Sequence, residues 1–477
     1  MLKKNIIYNF LYQILNLILP IITIPYVSRI LGANKLGEYS YTFAITQYFV
    51  LIGMLGISIY GNRQVAYLKE DKEKLSKEFW SIYLLQFIMN IISFSLYFII
   101  FVIVNNRTNS LYIIQSIIIL TSLFDISWFF IGYQHMKEVV IRNVLVKLVG
   151  VLFILAFVKN SNDLNLYAII IAGSNLLGQI VMWLNLKGKI KLYFPNKAEI
   201  FKHLRPSSKL FISQLAIQIY ILLDKTMLGL YSDSFQVGIY DGAQKTIKIT
   251  LTIVTSLGVV IMPKISELYS KNNIHDIKIL IYKVFRMVNL IAFPIMFGLI
   301  SISDIFSIWF YGEGFSGVNT LLKLGAIIIV FISWSNILGM QIMIPMGKEK
   351  HFTRSVLFGA ITNLILNLFL IRAFKAYGAM VSSIAAEGVV TCIQLYFLRD
   401  FIDIKKLINI AKKPLVGSLS MYFLLELFKI INLQNFSGIV ILIIIGASVY
   451  SISLYLLKEK TIIYLIDYIK NKNRIVG

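Results

Sequence analysis

Residues 80–103 read WSIYLLQFIMNIISFSLYFIIFVI, a run of 24 residues without one charged side chain. A helix rises 1.5 Å per residue, so this run is long enough to span the roughly 30 Å hydrocarbon core of a bilayer. Thirteen further apolar stretches of comparable length are predicted at 9–30, 39–60, 111–133, 141–158, 166–187, 209–231, 240–263, 279–302, 320–345, 355–371, 377–397, 414–430 and 436–457. The sequence therefore predicts an all-α polytopic membrane protein with 14 transmembrane helices.

The composition of the chain agrees with this fold class. Hydrophobic residues make up 58% of the 477 residues, and the mean hydropathy is +0.77. Soluble domains do not reach such values. The single cysteine, Cys392, lies in a predicted span, which excludes a disulfide framework and a cysteine-based metal site. The apolar run at the N-terminus is too long for a signal peptide, so we expect it to be retained as the first span.

Positive charge is distributed unevenly between the predicted loops. Of the 46 Lys and Arg residues, 32 lie in or at the edges of the two termini and the even-numbered loops. The odd-numbered loops hold five, namely Lys35, Arg107, Lys159, Arg372 and Lys375. Basic loops stay on the cytoplasmic side, so both termini are predicted to be cytoplasmic. The net charge of +23 then reflects topology and contact with anionic lipid, and no nucleic-acid partner is expected.

Two similar halves flank a basic segment at 188–208. A Leu-Gly…Gly-x-Tyr pattern ending at Tyr39 recurs with its end at Tyr240, and the segments around Arg142 and Arg354 are also similar. We predict an N-terminal six-helix lobe, a basic cytoplasmic linker, a C-terminal six-helix lobe, and helices 13 and 14 with a cytoplasmic tail, at 1–187, 188–208, 209–397 and 398–477. Six helices per half give parallel, pseudo-symmetric lobes with a central site between them.

Charges within the predicted spans are the first candidates for function. The cations are Arg29, Lys147, Lys225, Lys245, Lys248, Lys283, Arg286, Lys323 and Lys429, and the acids are Asp125, Asp224, Asp241, Glu387 and Glu426. A basic residue at the centre of a bilayer costs about 2.5–3.5 kcal/mol on insertion scales. Ion pairs cannot neutralise the surplus of cations, so water or an anionic cargo must do so.

The cationic candidates include one pattern with helical spacing. Asp241, Lys245 and Lys248 fall on one helical face, which predicts that this face lines a cavity. The predicted cargo-binding cations are Lys225, Lys245, Lys248, Lys147, Arg29 and Arg63. Arg29 lies near a span end and could instead reach the interface by snorkelling.

Acidic residues within spans could couple transport to an ion gradient. The candidates are Asp125, Asp224 and Glu387. An intramembrane carboxylate can exchange protons or bind a cation. For Asp125, a structural hydrogen bond between helices accounts equally well for an acidic residue in a span.

Sequence signatures of enzymes are absent. The chain has no G-x-x-x-x-G-K-[ST], G-x-S-x-G or H-E-x-x-H motif, and its four histidines are scattered over the even-numbered loops. No loop is large enough for a soluble domain, and none carries the clustered carboxylates or arginines expected of a membrane polysaccharide polymerase or transferase. We therefore expect neither an enzyme nor a cofactor, and keep the polymerase as an alternative.

Eight short segments carry a family resemblance. They are Pro25–Gly32, Tyr60–Ala66, Trp128–Gly132, Asp224–Gly229, Val237–Tyr240, Met262–Ser266, Pro345–Lys348 and Asn363–Asn367. Each is loose alone, but their order is specific. The chain resembles the oligosaccharide flippases of the polysaccharide transporter family, the Wzx-like branch of the multidrug/oligosaccharidyl-lipid/polysaccharide superfamily.

This resemblance implies a fold and a function. The family fold would be two six-helix lobes in a V around a central cavity, with helices 13 and 14 outside. The function would be movement of an undecaprenyl-pyrophosphate-linked oligosaccharide from the inner to the outer leaflet of a bacterial cell membrane by alternating access. Coupling to a cation gradient and cooperation with a polymerase and chain-length proteins would accompany it. A multidrug exporter of the same superfamily is the alternative, but its cationic cargo would favour an acidic cavity.

Overall fold

The computed structural model describes residues 2–104, 110–256, 261–428 and 436–463, and within them it is helical with no strand. The helices of the first half are α1 Leu2–Met54, α2 Ile57–Leu68, α3 Lys72–Phe98, α4 Ser110–Leu123, α5 Ser127–Gly132, α6 Met136–Phe157, α7 Leu164–Leu184, α8 Lys197–Phe201 and α9 Leu204–Tyr231. Those of the second half are α10 Ser234–Thr255, α11 Ile261–Ser270, α12 Ile274–Tyr311, α13 Val318–Gly325, α14 Ile327–Ser335, α15 Glu349–Leu398, α16 Ile404–Phe428 and α17 Phe436–Leu456. Short π-helical segments at Ile99–Val104 and Asn336–Met343 extend α3 and α14.

The helices confirm the predicted fold class. In the described ranges, eight helices are long and apolar enough to cross a membrane, or nine if the bent pair α13 and α14 is one span. Two of these are double-length and contain a break, at Gly32 in α1 (φ 72°) and at Lys375 in α15 (φ 50°). Each break falls between two predicted spans, so α1 and α15 each hold more than one of them. The chain is a multi-pass membrane protein, and the count of 14 spans stays a prediction.

The chain packs as two compact units, residues 1–238 and 239–477. In the first unit, aromatic side chains of α3, α5 and α7 form a core around Phe79, Trp128 and Trp183. In the second unit, Met421 and Tyr450 join α16 and α17 to α12, and the Tyr450 hydroxyl donates to the Leu290 carbonyl at 2.9 Å. The predicted lobe and linker boundaries stay a prediction.

Hydrogen bonds and ion pairs attach the predicted linker to the start of α3. The Trp80 indole donates to the Lys191 carbonyl at 3.0 Å, and the Lys191 amide donates to Ser76 Oγ at 2.9 Å. Nearer the end of the linker, Glu78 accepts from Lys202 Nζ at 2.7 Å and contacts His203 Nε2 at 2.8 Å. These contacts make the linker a fixed part of the first unit.

Glycines from the two halves of the repeat pack against each other. A Cβ atom at Gly37 would lie 1.7 Å from the Ser234 carbonyl oxygen, and one at Gly238 would lie 1.9 Å from the Ala33 carbonyl oxygen. Ala33 and Gly37 are the positions that the repeated pattern relates to Ser234 and Gly238. Reciprocal contacts of this kind occur between elements related by a two-fold axis. The internal repeat itself stays a prediction.

Candidate functional site

Helix α10 presents the predicted polar face. Lys245 Nζ lies 2.7 Å from Asp241 Oδ2, one helical turn away, and the two side chains are 41% and 5% exposed. Lys248, one further turn along, is exposed. The face therefore runs from a buried carboxylate to an accessible ammonium group. The spacing in the sequence predicted that the three side chains share one face, and not which of them is buried.

Two tyrosines hold α10 in place within the second unit. The Tyr311 hydroxyl of α12 donates to the Gly242 carbonyl at 2.6 Å and lies 2.6 Å from Thr246 Oγ1. The Tyr240 hydroxyl lies 2.9 Å from Ser383 Oγ of α15. Both hydroxyls are buried and satisfied, so they fix the rotation of the helix that carries the lysines. Sequence reasoning missed Tyr311, because Thr246 lies 65 residues away in the chain and no local pattern relates the two.

The other predicted cargo-binding cations lie in the first unit. Lys225 of α9 is half-buried and follows Asp224, which is 6% exposed. Arg29, Arg63 and Lys147 are exposed on α1, α2 and α6. Lys429 and Arg107 lie outside the described residues. That these cations act on one cargo together with Lys245 and Lys248 stays a prediction.

Asp125 occupies the break between α4 and α5 rather than a continuous helix. Its Oδ1 accepts from the Ser127 amide at 2.8 Å, and its carbonyl accepts from Gln86 Nε2 at 2.9 Å. Gln86 Oε1 in turn accepts from the Trp128 indole at 2.9 Å, and Ser127 Oγ accepts from Arg142 at 2.7 Å. Broken backbone at membrane depth must be satisfied by protein groups, and this network does so. A structural role thus accounts for the contacts of Asp125, while coupling stays a prediction.

The two remaining acidic candidates are placed differently. Asp224 is buried beside Thr226, whose hydroxyl lies 3.3 Å from the Tyr48 hydroxyl, and Glu387 is half-buried on α15. Within the described part of the chain, no group of three or more His, Cys, Asp or Glu residues could hold a metal ion.

Comparisons with known proteins give the family of the chain. Residues 2–269 match a family described as "Polysaccharide biosynthesis protein". The chain is 24% identical over 409 residues to a "Putative O-antigen transporter" of Escherichia coli (strain K12), covering 84% of this chain and 97% of that one. It is 25% identical over 259 residues to the "Probable low-salt glycan biosynthesis flippase Agl15" of Haloferax volcanii, covering 54% of each.

Solved structures share the fold. The structure of "Lipid II flippase MurJ, inward closed conformation" superposes with a TM-score of 0.76 at 15% identity, covering 96% of this chain and 99% of that one. An inward-facing multidrug resistance MATE family transporter superposes with a TM-score of 0.60 at 11% identity, covering 83% and 96%. The chain thus shares the fold of these two proteins. Because the family match covers more than half of the chain, the protein belongs to the polysaccharide biosynthesis protein family.

Proposed function

We propose that the protein is a flippase that moves a lipid-linked oligosaccharide from the inner to the outer leaflet of a bacterial cell membrane. The family membership and the relatives described as an O-antigen transporter and a glycan flippase support a cargo of this class. The cargo's carrier is undecaprenyl pyrophosphate, and transport proceeds by alternating access. A polymerase and chain-length proteins of the same pathway would take the product.

The observation that carries this proposal is the charge on α10. Lys245 and Lys248 are one turn apart, and Asp241 bonds to Lys245. Two ammonium groups and one carboxylate thus share one face of a predicted span, where charged side chains are costly and mark paths for ions or charged cargo. A pyrophosphate would accept charge-assisted hydrogen bonds from both ammonium groups, and lysine acts in such contacts as a point charge. Lys225 is proposed to contribute a third cation, with Arg29, Arg63 and Lys147 along the path of the cargo.

A multidrug exporter remains the rival function because a MATE transporter shares the fold. A cationic drug would be repelled by the lysines of α10, whereas an anionic lipid would be attracted. The surplus of cations within the spans therefore favours the lipid-linked glycan.

The double variant Lys245→Gln with Lys248→Gln tests the proposal. We expect it to lose complementation of a flippase-deficient strain at normal abundance in the membrane, whereas Lys→Arg changes at the same positions should keep most of the activity. Lys350→Gln with Lys405→Gln removes two charges from even-numbered loops and is the matched control. Full complementation by the α10 double variant would remove these lysines from the cargo site.

Coupling to a proton or sodium gradient is proposed through one of Asp125, Asp224 and Glu387. Each is a carboxylate within a predicted span and is at least half-buried. Asp125→Asn, Asp224→Asn and Glu387→Gln each mimic a protonated side chain. The coupling residue is the one whose variant still inserts and folds but no longer accelerates transport when a gradient is imposed. If all three variants respond to the gradient as the unmodified protein does, coupling lies elsewhere.

A further inference from the structure

The break in α15 has an unusual residue at its apex. Lys375 has φ 50° and ψ −127°, a conformation that glycine adopts far more readily than residues with a side chain. Three residues later, a Cβ atom at Gly378 would lie 2.0 Å from the Leu370 carbonyl oxygen, so the two arms of the helix approach closely. Strained residues persist where the surroundings hold them, and they cluster at functional sites. A lysine at this position is strained, while glycine would not be.

An apolar groove lies beside this break. It has a volume of about 240 Å³ and is lined by Leu370, Phe374, Tyr377, Gly378 and Val381. Phe374 is 60% exposed, and neighbouring Phe369 is 70% exposed. In a chain that spans a membrane, such apolar surface faces lipid. The groove is smaller than the ~300–1,000 Å³ of pockets that enclose drug-sized ligands, so it suits part of one acyl chain.

Two basic residues lie at the same break. Arg372 and Lys375 are both exposed there, three residues apart. They are two of only five basic residues in all of the odd-numbered loops. Since the rest of that face is poor in cations, an anionic headgroup would be drawn to the break rather than spread over the loops.

We propose that the break in α15 is a binding site for one anionic phospholipid, such as phosphatidylglycerol. The headgroup phosphate contacts the Lys375 ammonium and the Arg372 guanidinium, and one acyl chain lies along Phe374 and Val381 in the groove. Arginine binds phosphate through paired N–H donors, and lysine adds a point charge. The ammonium group of Lys375 supplies positive charge at the apex of the break, which glycine at this position would not. None of these residues belongs to the proposed cargo-binding set.

Lys375→Gly tests this proposal because it removes the charge and relieves the strain at once. We expect its melting temperature in phosphatidylcholine nanodiscs to equal or exceed that of the unmodified protein. The rise in melting temperature on adding phosphatidylglycerol should fall by at least half. Arg372→Gln should lose a similar part of the rise without altering the strained residue. Lys159→Gln, in another odd-numbered loop, should keep the full rise.

Two further ligands distinguish binding of the whole lipid from binding of its headgroup or of phosphate alone. Dihexanoyl phosphatidylglycerol, whose chains are too short to fill the groove, should give less stabilisation than the long-chain lipid. Inorganic phosphate should give none. Native mass spectrometry should count one bound phosphatidylglycerol fewer on Lys375→Gly and on Arg372→Gln than on Lys159→Gln. Equal lipid counts and equal melting shifts in all three variants would overturn the proposal, as would stabilisation by inorganic phosphate that matches the lipid.

Discussion

At the scale of residues, substitutions in the ion pair on α10 should affect the stability of the protein and its transport activity differently. Lys245→Gln removes the 2.7 Å partner of the buried Asp241 carboxylate. Breaking a fully buried pair costs 3–5 kcal/mol, but Lys245 is partly exposed, so we expect a loss of about 1–3 kcal/mol. Adding Asp241→Asn should restore most of that stability without restoring transport. Thermal unfolding in detergent measures the first effect. Equal melting temperatures for Lys245→Gln and the unmodified protein would show that the pair contributes little.

A second prediction at the scale of residues compares the stability of two substitutions at Asp125. Asn at this position keeps an oxygen that accepts from the Ser127 amide, whereas Ala does not. Loss of a comparable helix cap costs about 0.5–2 kcal/mol. Asp125→Ala should therefore unfold at a lower temperature than Asp125→Asn, which should match the unmodified protein. If Ala and Asn variants unfold together, the hydrogen bond does not stabilise the break.

Residue positions in the site were partly predictable from sequence. Helical spacing alone placed Asp241, Lys245 and Lys248 on one face, because side chains at i, i+4 and i+7 share a face in any α-helix. The sequence did not predict that Asp125 lies at a helix break, since apolar residues continue on both sides of it. The hydroxyl of Tyr311 was missed for a related reason: its contacts depend on how α12 packs against α10.

At the scale of elements, Glu199 is one of the linker residues that contact α3. The carboxylate of Glu199 pairs with Lys77 and accepts from the Asn196 amide, and these contacts lower the pKa of Glu199 below its ordinary value of 4.5. A carboxyl whose pKa is lowered by folding stabilises the folded state above its unfolded pKa. That stabilisation is lost as the pH falls through the folded pKa.

Hydrogen exchange tests this element. Amides of residues 190–203 should be protected near pH 7 and should lose protection below about pH 4.5, after correction for the intrinsic exchange rate. In Glu199→Gln, the protection of these amides should already be reduced at pH 7. Glu267→Gln removes an exposed acidic partner of Lys264 and Lys271 in the second unit, so it should leave these amides unchanged. Full protection of the linker amides in Glu199→Gln would show that other contacts hold the linker against α3.

The sequence predicted that these elements are helices better than it predicted where each helix begins and ends. Within the described ranges the apolar stretches lie mainly on helices, because backbone groups in a bilayer must find their hydrogen-bond partners within the protein. Predicted spans on either side of Gly32 and Lys375 join into long broken helices, since a single residue with positive φ turns the chain without a loop. The close contacts of Gly37 and Gly238 were not predicted, because the repeated pattern shows that the two segments are similar and not that they touch.

At the scale of the whole molecule, the distribution of Lys and Arg predicts the orientation. Basic residues number 32 in or beside the termini and even-numbered loops against five in the odd-numbered loops. Reporter fusions at Ser161, Asp233 and Phe315 should therefore read outside, and those at Lys74 and Lys197 should read inside. A single inverted reporter would contradict the 14-span topology. These fusions test the predicted side of the membrane for five loops.

The central claim is movement of a lipid-linked glycan, and reconstitution measures it most directly. Purified protein would be placed in liposomes whose undecaprenyl-pyrophosphate-linked oligosaccharide is confined to one leaflet, and a glycosidase added outside would report arrival in the other. We predict rapid cleavage with the unmodified protein and with Lys350→Gln/Lys405→Gln, and a rate near that of protein-free liposomes with Lys245→Gln/Lys248→Gln. Cleavage no faster with the unmodified protein than in protein-free liposomes would contradict the proposed flippase function.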